Sequence, residues 1–496
     1  MHIESTMLAP RELAKLLLLN GVTTIFADPH EIANVMGEAG LCWMLDETED
    51  MPLDVFYMLP SCVPATAMET SGAELTAADL QKYLYHERVL GLAEMMNYPG
   101  LLGGDPGVWD KLDLVKQGLC DGHAPCVVGK DLNAYLVAGV TSDHEVSNLP
   151  EAKEKLSRGM YLLLREGSGA HNLLDLLPSV SAHYSRRTCL CTDDRHIDEL
   201  LTQGSINYLV EMGVAHGYAP ELLLQMATIN TAERFRLYDR GLLAPGYKAD
   251  INVFGDLTAF APVRVFKNGQ QVVNHEKLLW SSAPIKTKPA SSVNLPTLQA
   301  EQLQIAAQPG REARVIKVIP EQIYTEEMHL VPKQIDGFVV ADTERDVLKL
   351  AVWERHQGSG RCAVGLVNGF KLKRGAVAST VAHDSHNLIV TGTNDGDMVL
   401  AAQTVRDAGG LAVVSDGEVR AVLPLPIAGL MSDCTLDEVY PRLKQLNYWL
   451  EELGGTEENN LLMVLAFLAL PVIPRLKITD KGLFDVEQFC FVDLWV

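Results

Sequence analysis

The sequence predicts an α/β protein that begins with a TIM-like (β/α)8 barrel and ends with an α+β domain. Three observations predict the barrel. Short apolar runs recur along the first 200 residues, helix-like segments lie between most of them, and polar residues close nearly every run. Apolar strands that alternate with helices are typical of parallel βα units buried on both faces. In a barrel, reactive groups lie at the carboxyl ends of the strands, which is where these polar residues fall.

Seven apolar runs are predicted to form the barrel strands. The strands are 22–27, 55–59, 89–93, 118–120, 139–141, 161–164 and 189–191, and the intervening helices include 6–20, 76–84, 152–158 and 197–212. The first helix has Pro10 in its first turn and stops at Gly21, as helices commonly do. One more strand upstream would complete an eight-stranded barrel, so we expect the first strand to be largely missing.

The pattern changes after the barrel, which is predicted over 1–240. Residues 241–282 contain strand-like runs around an Asn268-Gly269 pair, a typical hairpin turn, and predict a small β-domain. Residues 283–312 are rich in Pro, Ser, Lys and Gln and predict a linker. The remaining residues, 313–496, predict a separate domain. Its strands are expected at 337–341, 363–367 and 387–391, and its helices at 397–407 and 436–453.

Composition narrows the class of partner. A length of 496 residues suggests two or three domains, and a formal net charge of -23 disfavours nucleic acid and anionic membranes. We therefore expect a small-molecule substrate and a homo-oligomer. Nine cysteines without a C-x-x-C pair favour a reducing cytoplasm. No apolar run approaches the roughly 20 residues that span a bilayer.

The ends of the predicted strands carry the residue types of a metal centre. The acidic and imidazole side chains found there are His30, Glu31, Glu94, His123, His144, Glu166, Asp193 and Asp194. Imidazole and carboxylate together suit Zn²⁺, Fe²⁺ or Mn²⁺. Two metals that share a bridging carboxylate need about five or six such ligands at one mouth. A set that fits this number is His2, Glu94, His123, His144 and Asp193.

Two other designs do not fit the sequence. The zinc deaminases that act on cytosine carry H-x-E followed by P-C-x-x-C, and His2-Ile3-Glu4 supplies only the first part. The glycine-containing stretches 100–107 and 167–169 match neither a Walker nor a dinucleotide-binding pattern. Phosphate-loop chemistry is therefore disfavoured.

Several stretches together resemble the bacterial adenine deaminases of the amidohydrolase superfamily. In the barrel they are 2–5, 27–32, 91–96, 121–125 and 191–195, and 241–246 resembles the superfamily's return to its small β-domain. The stretches 382–387, Ala-His-Asp-Ser-His-Asn, and 423–432 resemble the C-terminal domain of this family. These last two are the specific signals, and the resemblance is nearly full-length.

This resemblance implies hydrolysis of adenine to hypoxanthine and ammonia, in purine salvage, at a centre of two divalent metals such as Mn²⁺ or Fe²⁺, with Zn²⁺ as an alternative. His2 would match the second histidine of an H-x-H motif, and Glu94 would be the bridging carboxylate. His123 and His144 would hold the second metal, and Asp193 would be both a ligand and the proton shuttle. The implied catalytic residues are therefore Asp193 and Glu94.

The remaining candidates are expected to bind substrate, each with an alternative. Asp194 is expected to contact the purine, or else to cap the next helix. His30 and Glu31 would touch substrate or an extra metal, or cap the helix that follows. His383 and His386 would reach over the barrel mouth, or else form a surface turn. Separately, Glu166 and its neighbour Arg165 are expected to form a salt bridge.

The chain also departs from the family pattern. The position two before His2, where the first metal-binding histidine is expected, lies outside the sequence, together with most of strand one and half of the β-domain. Either the start of the sequence has been assigned at an internal methionine, or the chain is truly shortened. In a shortened chain, residues 241–282 would be the remnant of a β-sandwich. A shortened chain is expected to bind metal weakly and to be poorly soluble. Alternative functions are a dihydroorotase-like or hydantoinase-like cyclic amide hydrolase, which would use a lysine in place of Glu94, and a catalytically impaired homologue.

Overall fold

The computed structural model describes residues 1–116, 118–289, 292–320, 322–455 and 460–496. Seven parallel barrel strands follow the predicted order. They are β1 (Thr24–Ala27), β2 (Asp54–Leu59), β3 (Val89–Met95), β4 (Leu119–Gly122), β5 (Ser142–Asp143), β6 (Tyr161–Arg165) and β7 (Thr188–Cys191). The strands pair as β1-β2-β3-β4 and as β5-β6-β7, so within the described residues β1 and β7 end their sheets. The fold prediction of a (β/α) barrel is confirmed, with the strand predicted at 139–141 shifted to β5.

Helices cover the outside of these strands. They are α1 (Pro10–Leu19), α2 (His30–Met36), α3 (Glu38–Glu47), α4 (Ala77–Gln81), α5 (Tyr98–Gly103), α6 (Pro106–Leu114), α7 (Gly129–Val137), α8 (Leu149–Ser157), α9 (Leu173–Leu176), α10 (Ile197–Thr202), α11 (Ile206–Ala215), α12 (Pro220–Ala227) and α13 (Ile229–Arg234). The single helix predicted over 197–212 is wrong. Gly204 has a φ of +108°, which interrupts the chain between α10 and α11.

A small antiparallel sheet packs beside the barrel. Its strands, β8 (Ile251–Phe254), β9 (Pro262–Lys267), β10 (Gln270–Asn274) and β11 (Lys277–Leu278), pair in sequence order. The hairpin predicted at Asn268-Gly269 is confirmed, because both residues have positive φ, as this two-residue turn requires. The buried Lys267 fastens the sheet to the barrel by donating to Asp54 at 2.8 Å.

The segment predicted as a linker runs along the last domain as mostly irregular chain. It contains one 3-10 turn, Ala300–Leu303, and buries Leu298 and Leu303 against the C-terminal sheet. Trp43 of the barrel donates from Nε1 to the carbonyl of Thr287 at 2.7 Å. This segment is therefore anchored at several points along its length.

The C-terminal domain is built on an eight-stranded sheet. Its strands, in spatial order, are β13 (Thr325–Leu330), β12 (Ala313–Val318), β17 (Cys362–Asn368), β16 (Val347–Trp353), β19 (Leu388–Gly392), β18 (Ala376–Ser379), β20 (Gly410–Ser415) and β21 (Glu418–Pro424). Two smaller sheets accompany it, β14 (Gln334–Ile335) with β15 (Phe338–Val339), and β22 (Leu476–Thr479) with β23 (Gly482–Asp485) and β24 (Cys490–Phe491). The helices are α14 (Asp395–Thr404), α15 (Leu436–Glu452) and α16 (Leu461–Phe467).

The inner strands of this sheet, such as β16 and β19, are buried on both faces because helices cover each side. Met398 of α14 packs in one apolar cluster with Ala351 and Val390, while Leu443 of α15 packs in another with Val352 and Ile389. Alternate residues of β16 and β19 thus enter different cores, as the two-residue period of a strand requires. Among the described residues, no helix is both long enough and apolar enough to cross a membrane.

One loop of this domain, 380–387 between β18 and β19, lies against the barrel mouth. Asn387 donates from Nδ2 to the carbonyl of Thr70 at 2.8 Å, and Thr70 donates to Asp480 at 2.7 Å. Glu31, at the start of α2, lies 3.4 Å from His386 in this loop. The C-terminal domain therefore supplies side chains next to the ends of the barrel strands.

Candidate metal centre

The five residues predicted to bind metal converge on one point at the carboxyl ends of the barrel strands. His2 Nε2 lies 3.0 Å from Asp193 Oδ1, just after β7, and 3.4 Å from Glu94 Oε1, on β3. Glu94 Oε2 lies 2.9 Å from His123 Nδ1, just after β4, and 3.2 Å from His144 Nε2, just after β5. The strands β3, β4, β5 and β7 each contribute one side chain, because parallel strands present their carboxyl ends at the same mouth, and His2 joins them from the start of the chain.

Glu94 is at the centre of this group. One of its oxygens faces His2 and the other faces His123 and His144. A bridging ligand of two metals needs this division, with one oxygen directed to each ion. Burial by itself would raise the pKa of Glu94, but the adjacent imidazoles, led by His144, hold it well below its usual value. The group is therefore ready to act as a carboxylate.

The tautomer of His2 follows from its surroundings. Its Nδ1 lies 3.1 Å from the backbone oxygen of Asp28, which can only accept a hydrogen bond. Nδ1 therefore carries a proton, and Nε2, which faces Glu94 and Asp193, is the ring nitrogen that can bind a metal in place of its own proton. Histidines that bind metals commonly have the second ring nitrogen fixed in this way.

The residues present fit a divalent metal centre. The side chains of His2, Glu94 and His123 are less than a tenth exposed, and His123 Nε2 is a buried nitrogen without a hydrogen-bond partner among the described residues. Burial alone would lower the pKa of His144, but the charges of Glu94 and Asp193 outweigh it and raise the pKa to about 9. Imidazoles packed against carboxylates in this way are a donor set that suits Mn²⁺, Fe²⁺ or Zn²⁺.

Sequence reasoning missed two members of the site, Arg165 and Glu145. Arg165 donates to Asp193 Oδ2 at 2.8 Å and from Nη2 to Glu145 Oε2 at 2.9 Å. The salt bridge predicted between Arg165 and Glu166 is wrong, because Glu166 instead contacts His171 Nδ1 at 2.7 Å. Both residues lie at strand ends. A search of the strand ends that also included basic residues, and the residue following each histidine, would have found them.

The candidate substrate-binding residues lie in two parts of the structure, the strand ends of the barrel and the loop 380–387 of the C-terminal domain. Asp194 accepts a hydrogen bond from Ser5 Oγ, and the N-cap of α10 is His196, so the alternative that Asp194 caps this helix is wrong. The ring of His383 stacks on Phe467 with centroids 4.4 Å apart. His383 is 3% exposed and His386 is 0% exposed, which excludes the surface-turn alternative.

Glu31 and His386 form a buried contact behind these residues. Ser5 Oγ lies 2.6 Å from Glu31 Oε1, and Glu31 Oε2 lies 3.4 Å from His386 Nε2. The backbone N–H of Ala382 donates to His386 Nδ1 at 3.1 Å. In the neutral ring Nε2 must then carry the proton, so it faces Glu31 as a donor. This tautomer disfavours a metal between Glu31, His383 and His386.

A cleft of about 530 Å³ lies between β1 and β7 and meets the metal centre at one wall. The polar part of its lining includes His2, Glu94, His144 and Asp193. Its apolar walls come from the strands and from the small sheet, and include Phe26, Met58, Leu190, Phe254 and Phe260. The metal centre is therefore reached from within the barrel.

Comparison with known families agrees with this arrangement. The model of the amidohydrolase family matches residues 1–272, and that of the adenine deaminase C-terminal domain matches residues 322–490. The chain belongs to the adenine deaminase family of amidohydrolases. Membership of this family makes it a metal-dependent hydrolase that acts on C–N bonds.

Two relatives illustrate the adenine deaminase match. Adenine deaminase 2 of Carboxydothermus hydrogenoformans is 50% identical over 493 residues, covering 99% of this chain and 86% of that protein. The adenine deaminase of Methanoculleus marisnigri is 48% identical, covering 100% of this chain and 92% of its own length. Among solved structures, an amidohydrolase from a Sargasso Sea sample is 14% identical, with a TM-score of 0.42 over 57% of this chain and 79% of its own.

Proposed function

We propose that the chain hydrolyses adenine to hypoxanthine and ammonia with two divalent metals, Mn²⁺ or Fe²⁺, held by His2, Glu94, His123, His144 and Asp193. The observation that carries the proposal is the position of Glu94, whose two oxygens face separate imidazoles, with Asp193 beside His2. Relatives named adenine deaminase, 44–50% identical over at least 99% of this chain, support adenine as the substrate.

When bound, the metals would lower the pKa of a water molecule so that hydroxide is available near neutral pH. Asp193 is the residue placed to take the proton of that nucleophile and to pass it toward the leaving amine. Its Oδ1 faces His2 at 3.0 Å and its Oδ2 is held by Arg165 at 2.8 Å. Both contacts fix the orientation of the carboxylate before substrate arrives, which is how an enzyme lowers the entropic cost of the reaction.

The purine is proposed to contact Asp194 and His383. Asp194 follows the proton carrier directly in the chain, and His383 presents a ring stacked on Phe467. Glu31 and His386 were also expected to touch substrate, but both are 0% exposed. We place them one layer behind, where Glu31 contacts Ser5 and Ser5 in turn contacts Asp194. The loop 380–387 would exclude water from the bound purine.

We also propose that this activity serves purine salvage in the cytoplasm, in a homo-oligomer. The nine cysteines are all free, including the exposed Cys42, Cys126 and Cys490, which supports a reducing compartment. The net charge of -23 supports a small-molecule substrate rather than nucleic acid.

The test is an assay of the purified chain after chelation and reloading with Mn²⁺ or Fe²⁺. Ammonia release is measured with adenine, with adenosine, and with dihydroorotate and hydantoin as cyclic amides. We expect turnover of adenine that depends on added metal. Hydrolysis of a cyclic amide without deamination of adenine would instead establish the alternative activity, and metal binding without any turnover would establish an impaired homologue.

A further inference from the structure

We propose that His30 is a fourth imidazole ligand of the metal centre, oriented by Asp384 of the C-terminal domain. The inference deepens the proposed function, since it rests on metal being bound at this centre. It assigns His30 to the metal rather than to the substrate, and it gives the C-terminal domain a part in metal binding.

The position of His30 carries the first step. Its Nδ1 lies 3.5 Å from Glu94 Oε1 and 3.0 Å from Asp28 Oδ2, and its ring centroid is 4.6 Å from that of His2. One ligand atom from each of these four side chains lies within 4.8 Å of the others. Ligands around a tetrahedral ion with bonds of about 2.1 Å are separated by roughly 3.4 Å. The separations of 3.5 Å and 3.0 Å from His30 Nδ1 are close to this value, so the four side chains can be ligands of one ion.

Asp28 organises this half of the centre. Its Oδ1 accepts from the backbone N–H of His30 at 3.1 Å, and its backbone oxygen faces His2 Nδ1 at the same distance. Asp28 thereby fixes where α2 begins and how both imidazoles point. Its remaining oxygen, Oδ2, lies at hydrogen-bond distance from His30 Nδ1, 3.0 Å, and a metal bound between the two atoms would replace this hydrogen bond.

The other nitrogen of His30 carries the second step. His30 Nε2 lies 3.7 Å from Asp384 Oδ1, longer than a hydrogen bond but within the range of an ion pair. Asp384 is 2% exposed, and its Oδ2 has no hydrogen-bond partner among the described residues. A carboxylate beside one ring nitrogen holds the proton there and directs the lone pair of the other nitrogen to the metal. Asp384 is thus a positioning residue for His30.

The C-terminal loop holds Asp384 in this place. His383 donates its backbone N–H to the carbonyl of Ala466 at 3.0 Å, and Asn387 donates to the carbonyl of Thr70 at 2.8 Å. These contacts flank Asp384 on both sides, one within the domain and one to the barrel. The pair His30 and Asp384 therefore links the metal centre to the docking of the C-terminal domain.

The experiment counts Mn²⁺ in the full chain and measures its affinity, without substrate. The variants are His30→Gln and Asp384→Asn, and the matched controls are His216→Gln and Asp407→Asn, whose side chains are exposed. Bound Mn²⁺ is determined by elemental analysis after desalting, and free Mn²⁺ is titrated by electron paramagnetic resonance. Thermal melting of each metal-free variant checks that it folds.

We expect the parent and both controls to bind two Mn²⁺ ions. His30→Gln should retain about one, and Asp384→Asn should weaken one of the two sites by about 10-fold to 100-fold. Asp384→Glu keeps a carboxylate and should restore affinity to within a few-fold of the parent. If His30→Gln fails to fold, the two Asp384 variants still decide between a positioning role and no role.

Failure of this inference is distinguishable from failure of the proposed function. Two Mn²⁺ ions bound with parental affinity in both His30→Gln and Asp384→Asn would overturn the inference while leaving adenine deamination untouched. A parent that binds two ions but releases no ammonia from adenine would overturn the function while the metal assignment stands. A parent that binds no divalent metal would overturn both.

Discussion

Arg165 donates from Nη1 to Asp193 Oδ2 at 2.8 Å, so a guanidinium at the end of β6 holds the carboxylate that follows β7. Arg165 is buried and Asp193 is partly buried, and Arg165 is also bound to Glu145 through Nη2. A planar guanidinium can hold two carboxylates in a set geometry, which a lysine cannot reproduce. The direction in which Asp193 presents its other oxygen is therefore set by a neighbouring strand.

Replacing Arg165 by lysine should lower kcat for adenine by about 10² while changing KM little, because misplacement of a catalytic group costs about this factor. The pKa of Asp193 is lowered by His144 and His2, and Arg165 adds to this against the effect of burial. The shorter lysine would no longer reach Asp193, so the pKa of Asp193 should rise and the acidic limb of the kcat profile should move to higher pH. The exposed Arg158 provides the matched control, Arg158→Lys, whose kinetics should equal the parent's. An unchanged profile in Arg165→Lys would contradict the positioning role.

Asp193→Asn should reduce kcat by about 10² to 10⁴, the usual contribution of a positioned proton carrier. The asparagine keeps the shape of the side chain but cannot accept the proton. Steady-state assays with adenine, paired with metal analysis of the same sample, separate the proton-transfer role from loss of metal. Full turnover in this variant would exclude Asp193 as the proton carrier.

Glu94→Gln should reduce bound metal from two ions to one or fewer, because the amide presents only one oxygen in place of the two that face His2 and His123. Elemental analysis after desalting measures this directly. Removal of metal from the parent by a chelator should abolish ammonia release, and Mn²⁺ should restore it. Glu166→Gln provides the control, since Glu166 contacts His171 and lies outside the centre. Two ions retained by Glu94→Gln would disprove the bridging role.

His383→Ala should raise KM for adenine by about 10-fold with a smaller effect on kcat, since stacking on a base contributes about 1–3 kcal/mol. The ring of His383 already packs on Phe467 at 4.4 Å, so the variant also tests whether that stack holds the purine. His383→Phe keeps a flat ring and should recover most of the affinity. If both variants bind adenine like the parent, His383 has no contact with substrate.

Lys477 makes stability depend on pH. Burial lowers the pKa of Lys477 to about 7, whereas a lysine in the unfolded chain titrates near 10.4. Below pH 7 both states hold the proton and the folded protein bears the full cost of a buried charge. As the pH rises from 7 toward 10.4, the folded state loses the proton first and the cost fades.

Lys477→Met removes this cost together with two hydrogen bonds, from Nζ to the carbonyls of Ile323 and Phe467. Relative to the parent, the variant should lose about 2–3 kcal/mol of unfolding free energy between pH 6 and pH 9. Melting temperatures of both proteins across this range measure the change. The exposed Lys444 offers a control, Lys444→Met, for which the difference should stay constant. A constant difference for Lys477→Met would contradict the lowered pKa.

The adjacent pair Asp193 and Asp194 shows why part of the site could not be predicted from sequence. Both residues follow the same predicted strand, yet Asp193 is hydrogen-bonded to His2 and Arg165 while Asp194 is hydrogen-bonded to Ser5. Asp193 has a φ of +58°, so the chain turns there after β7, and only the assembled barrel decides what each of the two side chains meets. The same limitation left Arg165 paired with the wrong glutamate.

The sequence alone determined the βα order of the barrel, the strand ends that supply Glu94, His123, His144 and Asp193, and the family. These features are local, since apolar periodicity and polar residues at strand ends can be read along the chain. Only the tertiary structure decided that His30 faces Glu94 and Asp384. Asp384 is more than 350 residues from His30 in the sequence, and the two meet because the C-terminal domain packs on the barrel mouth. Contacts between domains depend on packing, which no local pattern records.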